Sequence, residues 1–202
     1  MQMKIYGDAL SGNCYKVKLT AELLGLEYDW LDIDILRGDT QSGAFKEISF
    51  AGKIPLLQIS EDKFLSESNA IINYLAHDSD LLSDDPFTLA KIQQWQFFEQ
   101  YSHEPNIAVA RYIQLYQGLP KHRLEEYKLK QKNGYKALDV MEKQLRQSDF
   151  LVGDFVTTAD ISLYAYTHVA PEGGISLDNY PSIRAWMTRI EALPGYIKIA
   201  YV

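Results

Sequence analysis

The order of sequence patterns predicts two folding classes in one chain, an α/β unit followed by an all-helical (all-α) half. Three observations predict it. Strand-like and helix-like patterns alternate as far as about residue 36, two short apolar segments arranged as a hairpin lie between Leu56 and Leu65, and only helix-type composition follows about residue 88.

Met3-Lys4-Ile5-Tyr6-Gly7 is the first strand candidate, and Leu10-Ser11-Gly12-Asn13 makes a turn before the apolar helical positions Val17, Leu19, Ala21, Leu23 and Leu24. Gly25 stands where a helix C-terminus takes positive φ, and Tyr28 to Ile35 alternates with the period of a second strand. A polar stretch rich in Gly and Ser runs from Gly38 to Gly43. Leu56 to Ser60 and Lys63 to Leu65 then flank Glu61-Asp62 as a hairpin, and Ser66 to Ala76 reads as a helix. His77 to Pro86 follows neither period and predicts a link between two domains. Leu89 to Tyr116 and His122 to Leu145 are long helical segments, the first with a kink or break at Pro105. Thr157 opens the next helix with a capping box closed by Asp160, and Val156 can staple onto Ile161. Pro181 at a first helical position opens a last helix through Ala192, ended by Leu193-Pro194-Gly195. The resulting division is 1–77, a linker at 78–87, and 88–202.

Of 202 residues, 47% are hydrophobic and 23% charged, which allows a well-buried core. The formal net charge of −7 opposes binding to phosphate backbones or anionic membranes, so nucleic acid and membrane are not expected partners. No stretch approaches the roughly 20 apolar residues that span a bilayer, and no apolar signal core follows Met1 to Ile5, so a cytoplasmic location is expected. Cys14 is the only cysteine, which excludes an intramolecular disulfide and a cysteine-based structural zinc site. The four histidines, His77, His103, His122 and His168, have no paired ligand spacing, and no metal is expected.

The chemistry concentrates in Lys53-Ile54-Pro55 and Glu67-Ser68. A chain that enters a strand through Ile-Pro can offer the Ile54 backbone N–H and C=O to an extended ligand, while Glu67 and Ser68 can grip an ammonium and a carboxylate where a helix begins. Taken singly, each has a plainer reading: Pro55 as a trans turn proline, Glu67 and Ser68 as first-turn helix residues, Lys53 as a solvated cation.

In combination the segments resemble the cytosolic glutathione transferases over essentially the whole chain. The carriers are Ile5-Tyr6 ahead of Ser11-Gly12-Asn13-Cys14, Gly52-Lys53-Ile54-Pro55, the helix start Glu67-Ser68-Asn69-Ala70-Ile71, and Thr157-Thr158-Ala159-Asp160-Ile161. The resemblance implies a thioredoxin-like first half with Pro55 cis, an all-helical second half, and a homodimer of the serine-type (theta/phi-like) classes. It implies glutathione as co-substrate, with no further cofactor, and a small hydrophobic electrophile as the second substrate. Ser11 would be the catalytic residue, donating its hydroxyl to the glutathione thiolate at a helix N-terminus. The alternative for Ser11 is an ordinary N-cap serving Asn13 or Cys14.

Two rivals stand beside it. Tyr6 resembles a strand tyrosine found next to the catalytic serine, with a core aromatic as its alternative. Ser11-Gly12-Asn13-Cys14 has the spacing of a C-x-x-C motif with serine in the nucleophilic slot, leaving Cys14 as an inert buried thiol or, alternatively, the centre of a thiol–disulfide reductase.

For the tripeptide the resemblance implies Glu67 and Ser68 at the γ-glutamyl end, the Ile54 backbone beside Pro55 at the cysteinyl amides, Lys53 toward the glycyl carboxylate, and Asn13 and Thr40 as further binding residues. The sequence departs from the family's pattern where Ser49-Phe50 replaces Asn-Pro and where Thr40 replaces a histidine. The electrophile would lie between the halves against Tyr101, His103, Arg111 and Tyr112, with Gln100 and Tyr116 nearby. An isomerase of this family would carry Ser-Ser-Cys before the helix, which is absent here. A non-catalytic glutathione-binding or scaffold protein of the same fold is the remaining alternative.

Overall fold

The computed structural model describes residues 2–49 and 51–199. The chain forms two compact units, one of residues 2–79 together with 193–199 and one of residues 80–192. This division differs from the sequence-derived boundaries at both ends of the helical half. Leu81 of the supposed linker is buried, and its carbonyl accepts from the Thr158 N–H at 2.9 Å, so it belongs to the helical unit. Residues 193–199 belong to the first unit, where the Tyr15 hydroxyl donates to the Ile197 carbonyl at 2.7 Å and Ile199 is buried.

In the first unit, β1 (Met3–Gly7), α1 (Gly12–Leu23) and β2 (Tyr28–Asp32) make a parallel β-α-β element. β3 (Leu56–Ser60) and β4 (Lys63–Ser66) complete a four-stranded sheet ordered β2-β1-β3-β4. β1 and β3 are antiparallel with Ile5 opposite Leu57, and both side chains enter a core with Val17 and Ala21 of α1 and Ile71 and Ile72 of α3 (Ser68–Leu75). All six are fully buried, so truncating one of the larger ones to alanine is expected to cost about 2–5 kcal/mol. Alternation turns Tyr6 to the other face, where its ring meets Phe45 of α2 (Gly43–Ile48) edge-on at 6.3 Å.

Two elements differ from expectation. β2 stops at Asp32 rather than continuing to Ile35, because the Asp34 carboxylate accepts from the N–H groups of Leu36 and Arg37 and closes a turn. The short helix α2 has no periodic apolar signal, since Phe45 is its one buried residue; Ser42 caps it by accepting from the Phe45 N–H at 3.2 Å.

The second unit opens with α4 (Pro86–Phe98), capped by Asp85, with Pro86 in the position where its missing N–H costs nothing. The helix continues through a wide turn at Glu99–His103 into α5 (Glu104–Arg111), and a second wide turn covers Tyr112–Tyr116. Pro105 therefore does not break the segment. The Glu104 N–H reaches the Glu99 carbonyl five residues back, and Pro105 falls in the first turn of α5, where a proline is tolerated. α6 (Leu124–Leu145), α7 (Thr158–Thr167) and α8 (Pro181–Glu191) follow. Every residue of α7 is buried, which makes it the central helix. Its capping box is present as expected, and Asp160 goes further: it also accepts from the Leu151 N–H and from Trp186 Nε1, both at 2.9 Å. Among the described residues, no helix is long and apolar enough to cross a membrane.

Candidate functional site

The sheet register brings the singled-out segments of the first unit to one end. Tyr6, next to the last residue of β1, pairs with Leu56, the first residue of β3, and Leu56 pairs with Ser66, the last of β4. The loop to Ser11, the Ile54-Pro55 entry to β3 and the Glu67-Ser68 exit from β4 therefore share that end of the sheet. The Ile54–Pro55 peptide bond is cis, as the family resemblance implied, and Ile54 lies outside the ladder that begins at Leu56.

Ser11 is the N-cap of α1, with extended backbone at φ −74° and ψ 122°, and its Oγ accepts from the Cys14 N–H at 3.4 Å. The capping alternative is thus realised in geometry, and the partly exposed hydroxyl stands at the positive end of a twelve-residue helix. Cys14 points inward. It is 0% exposed, and its Sγ accepts from the Asp8 N–H at 3.5 Å. Burial pushes the thiol up to about 12, outweighing the hydrogen bond from Ser11 that favours the thiolate. A thiol so protonated and enclosed is no nucleophile, which stands against the reductase alternative. Tyr6 is also accounted for: its hydroxyl donates to Gln58 Oε1 at 2.8 Å on the α2 face of the sheet.

Glu67 has φ 70° and ψ 109°, a backbone region that L-residues rarely adopt, and its side chain is exposed. Ser68 beside it is buried and joins Asn13. The Ser68 hydroxyl donates to Asn13 Oδ1 at 3.2 Å, linking the start of α3 to the start of α1. Lys16, fully buried, donates to both, at 2.8 Å to Asn13 Oδ1 and 3.3 Å to Ser68 Oγ.

Lys53 is exposed, and its backbone is held at two points by Ser49, whose Oγ accepts from the Lys53 N–H at 3.3 Å and donates to the Lys53 carbonyl at 3.2 Å. Thr40 is buried, and its carbonyl lies close enough to Gly52 that a Cβ there would sit 3.4 Å away. This puts Thr40 beside the turn that carries Lys53. Phe50, the other half of the departure noted at that turn, lies outside the described residues.

Of the four residues expected at the electrophile, two have side chains committed within the helical unit. His103 is 0% exposed, with Nε2 2.9 Å from Thr167 Oγ1, and Arg111 is 3% exposed, with Nε donating to Glu172 at 2.5 Å. Tyr101 is 91% exposed and Tyr112 38%. The structure thus does not bring these four side chains to a common surface.

Sequence reasoning missed Lys16 and Ser49. A lysine among apolar helix positions reads as a solvated charge, and nothing local announces its burial. Ser49 was visible only as a departure from a family pattern. Among the described residues, no group of three or more His, Cys, Asp or Glu is placed to hold a metal ion.

A family model described as glutathione S-transferase, N-terminal domain matches residues 10–78, and one described as glutathione S-transferase, C-terminal domain matches residues 80–194. A protein of Oryza sativa subsp. japonica named as a probable glutathione S-transferase is 30% identical over 99% of this chain and 96% of its own length. A maleylacetoacetate isomerase of Pseudomonas aeruginosa is 27% identical over 96% of this chain and 93% of its own. Among solved structures, a glutathione S-transferase from Pseudomonas fluorescens superposes with a TM-score of 0.98 at 55% identity, covering both chains completely. One from Xanthobacter autotrophicus gives a TM-score of 0.91 at 38% identity, covering 98% of this chain and 97% of the other.

Proposed function

The chain belongs to the glutathione S-transferase family, and we propose that it conjugates glutathione to small hydrophobic electrophiles with Ser11 holding the sulfur. The observation that carries this reading is the convergence of the Ser11 cap of α1, the Ile54-Pro55 turn and the Glu67-Ser68 helix start at one end of the sheet. The first amides of α1 lack intrahelical acceptors, and together with the Ser11 hydroxyl they favour a negative charge there. The thiol proton passes to solvent, the thiolate attacks the electrophilic carbon, and the leaving group departs with its bonding electrons. Each unit by which the bound thiol's pKa falls corresponds to about 1.4 kcal/mol of preference for the anion.

The tripeptide runs from Glu67 and Ser68 past Asn13 and the Ile54 backbone toward Lys53 and Thr40. The exposed Glu67 carboxylate suits an ammonium, and the Lys53 cation suits the glycyl carboxylate. Membership of the family supports a homodimer acting in the cytoplasm as part of this reading. Nothing in Ser11-Gly12-Asn13-Cys14 favours the isomerase chemistry named for one relative.

The test is turnover of a chlorinated nitroaromatic, with glutathione affinity measured separately by calorimetry. The wild type is expected to bind and turn over, and Ser11→Ala to keep its affinity within a few-fold while losing about tenfold or more in turnover. Binding without turnover in the wild type would favour the non-catalytic alternative. Loss of activity in a folded Cys14→Ala variant would transfer the sulfur chemistry to that thiol.

A further inference from the structure

We infer that Lys16 is a positioning residue for the recognition of a ligand carboxylate through Ser68, a role that rests on the glutathione-binding reading above. Three groups carry it. Lys16 Nζ donates to Asn13 Oδ1 at 2.8 Å and to Ser68 Oγ at 3.3 Å, and the Ser68 hydroxyl donates to the same Asn13 oxygen at 3.2 Å. Two donors meet at one amide atom, which fixes that atom as the oxygen of Asn13 and turns its NH2 group away.

The proton accounting gives Ser68 a freedom it would otherwise lack. An Asn13 oxygen held by Lys16 does not lose its only donor when Ser68 turns away. The Ser68 proton can therefore move from Asn13 to an incoming carboxylate, while its oxygen still accepts from the ammonium. The carboxylate then meets a hydroxyl polarised by a full positive charge one hydrogen bond behind it, a stronger donor than a hydroxyl backed by neutral groups. Lys16 is 0% exposed, so it does not touch the ligand itself and acts through Ser68. The charge is also felt at the start of α1, where it favours the ionised form of the neighbouring Cys14 thiol, although burial outweighs it there.

In the proposed orientation of glutathione, the carboxylate next to the γ-glutamyl ammonium is the group that would meet Ser68. The decisive probe is the tripeptide analogue in which that carboxylate is replaced by hydrogen, compared with glutathione itself by calorimetry. The wild type is expected to prefer glutathione by about ten- to a hundredfold, the range of a charge-assisted hydrogen bond. Lys16→Met, close in length and without charge, is expected to weaken glutathione while leaving the analogue nearly unchanged, so that the preference collapses. A merely structural lysine would weaken both ligands alike, and an unchanged preference in Lys16→Met overturns the inference. If Lys16→Met does not fold, Lys16→Gln keeps a donor without the charge and is read the same way. A wild type that binds glutathione without preferring it to the analogue also overturns the role of Lys16. A wild type that binds neither ligand instead removes the glutathione reading on which it rests.

Discussion

Ser49 Oγ closes a ring of two hydrogen bonds on the backbone of Lys53, accepting from its N–H at 3.3 Å and donating to its carbonyl at 3.2 Å. Ser49, one of the positions at which the sequence departs from its family's pattern, therefore anchors the turn leading into Ile54-Pro55. Ser49→Ala removes both bonds from a 1%-exposed site and is expected to lower stability by about 1–3 kcal/mol. The glutathione KM should rise several-fold while kcat at saturation holds. Steady-state kinetics at varied glutathione and a denaturant melt check the two effects separately.

Glu67 combines an exposed carboxylate, proposed to meet the ligand, with an unfavourable backbone, and the two can be separated by choice of substitution. Glu67→Gly relieves the positive φ of 70°, whereas Glu67→Ala keeps it. Without ligand, the glycine variant is expected to be about 1 kcal/mol more stable than the alanine variant. Both should bind glutathione weakly. Equal melting midpoints for the two would remove the strain, and unchanged affinity would remove the carboxylate from the site.

Asp160 does more than cap a helix. It accepts from Thr157 N–H and Oγ1, Leu151 N–H and Trp186 Nε1, and is itself fully buried. Burial pulls its carboxyl upward against these four bonds. A lost cap alone costs about 0.5–2 kcal/mol. Asp160→Ala also strands the Leu151 amide and the Trp186 indole in the core, and the total is expected to exceed about 3 kcal/mol. Chemical denaturation measures it, and affinity for glutathione in the folded fraction should not change.

His168 sets an acid limit on stability. Its Nδ1 lies 2.8 Å from the Tyr164 carbonyl and must donate, and its ring stacks on that of Tyr164 at 4.6 Å. Burial lowers its pKa from 6.5 to about 4, outweighing the bond to Tyr164 that favours the charged form. In the window between those two values the unfolded chain binds a proton that the folded one does not. The stabilisation is therefore complete above pH 6.5 and is lost as the pH falls toward 4, by at most about 1.4 kcal/mol per unit. Denaturant midpoints measured across this window should fall less steeply in His168→Gln than in the wild type.

Much of the fold was legible because its signals are local. The β-α-β start, the capping box at Thr157 and the proline at the head of α8 each follow from a handful of adjacent residues. Of the kink or break expected at Pro105 the break does not occur, because a wide turn ending two residues earlier accommodates the proline, and that compensation has no signature in the sequence. The site divides the same way. Ser11, the Ile54-Pro55 turn and Glu67-Ser68 are short motifs of adjacent residues, so the sequence displays them as candidates. The Lys16 cluster joins residues 52 positions apart, and the burial of His103 and Arg111 depends on α7 and on Glu172. Periodicity within one helix carries neither.

The Tyr15–Ile197 bond also orders events during synthesis. The ribosome releases the first unit's sheet and its helices long before residues 193–199, which must wait for all of α4 to α8 to emerge. Until then the flank of α1 beside Tyr15 stays uncovered, and Gly195, which nestles against the Glu22 backbone, is absent. A chain truncated before residue 193 should present a thioredoxin-like unit that proteases cut near α1, and restoring residues 193–199 should close that vulnerability.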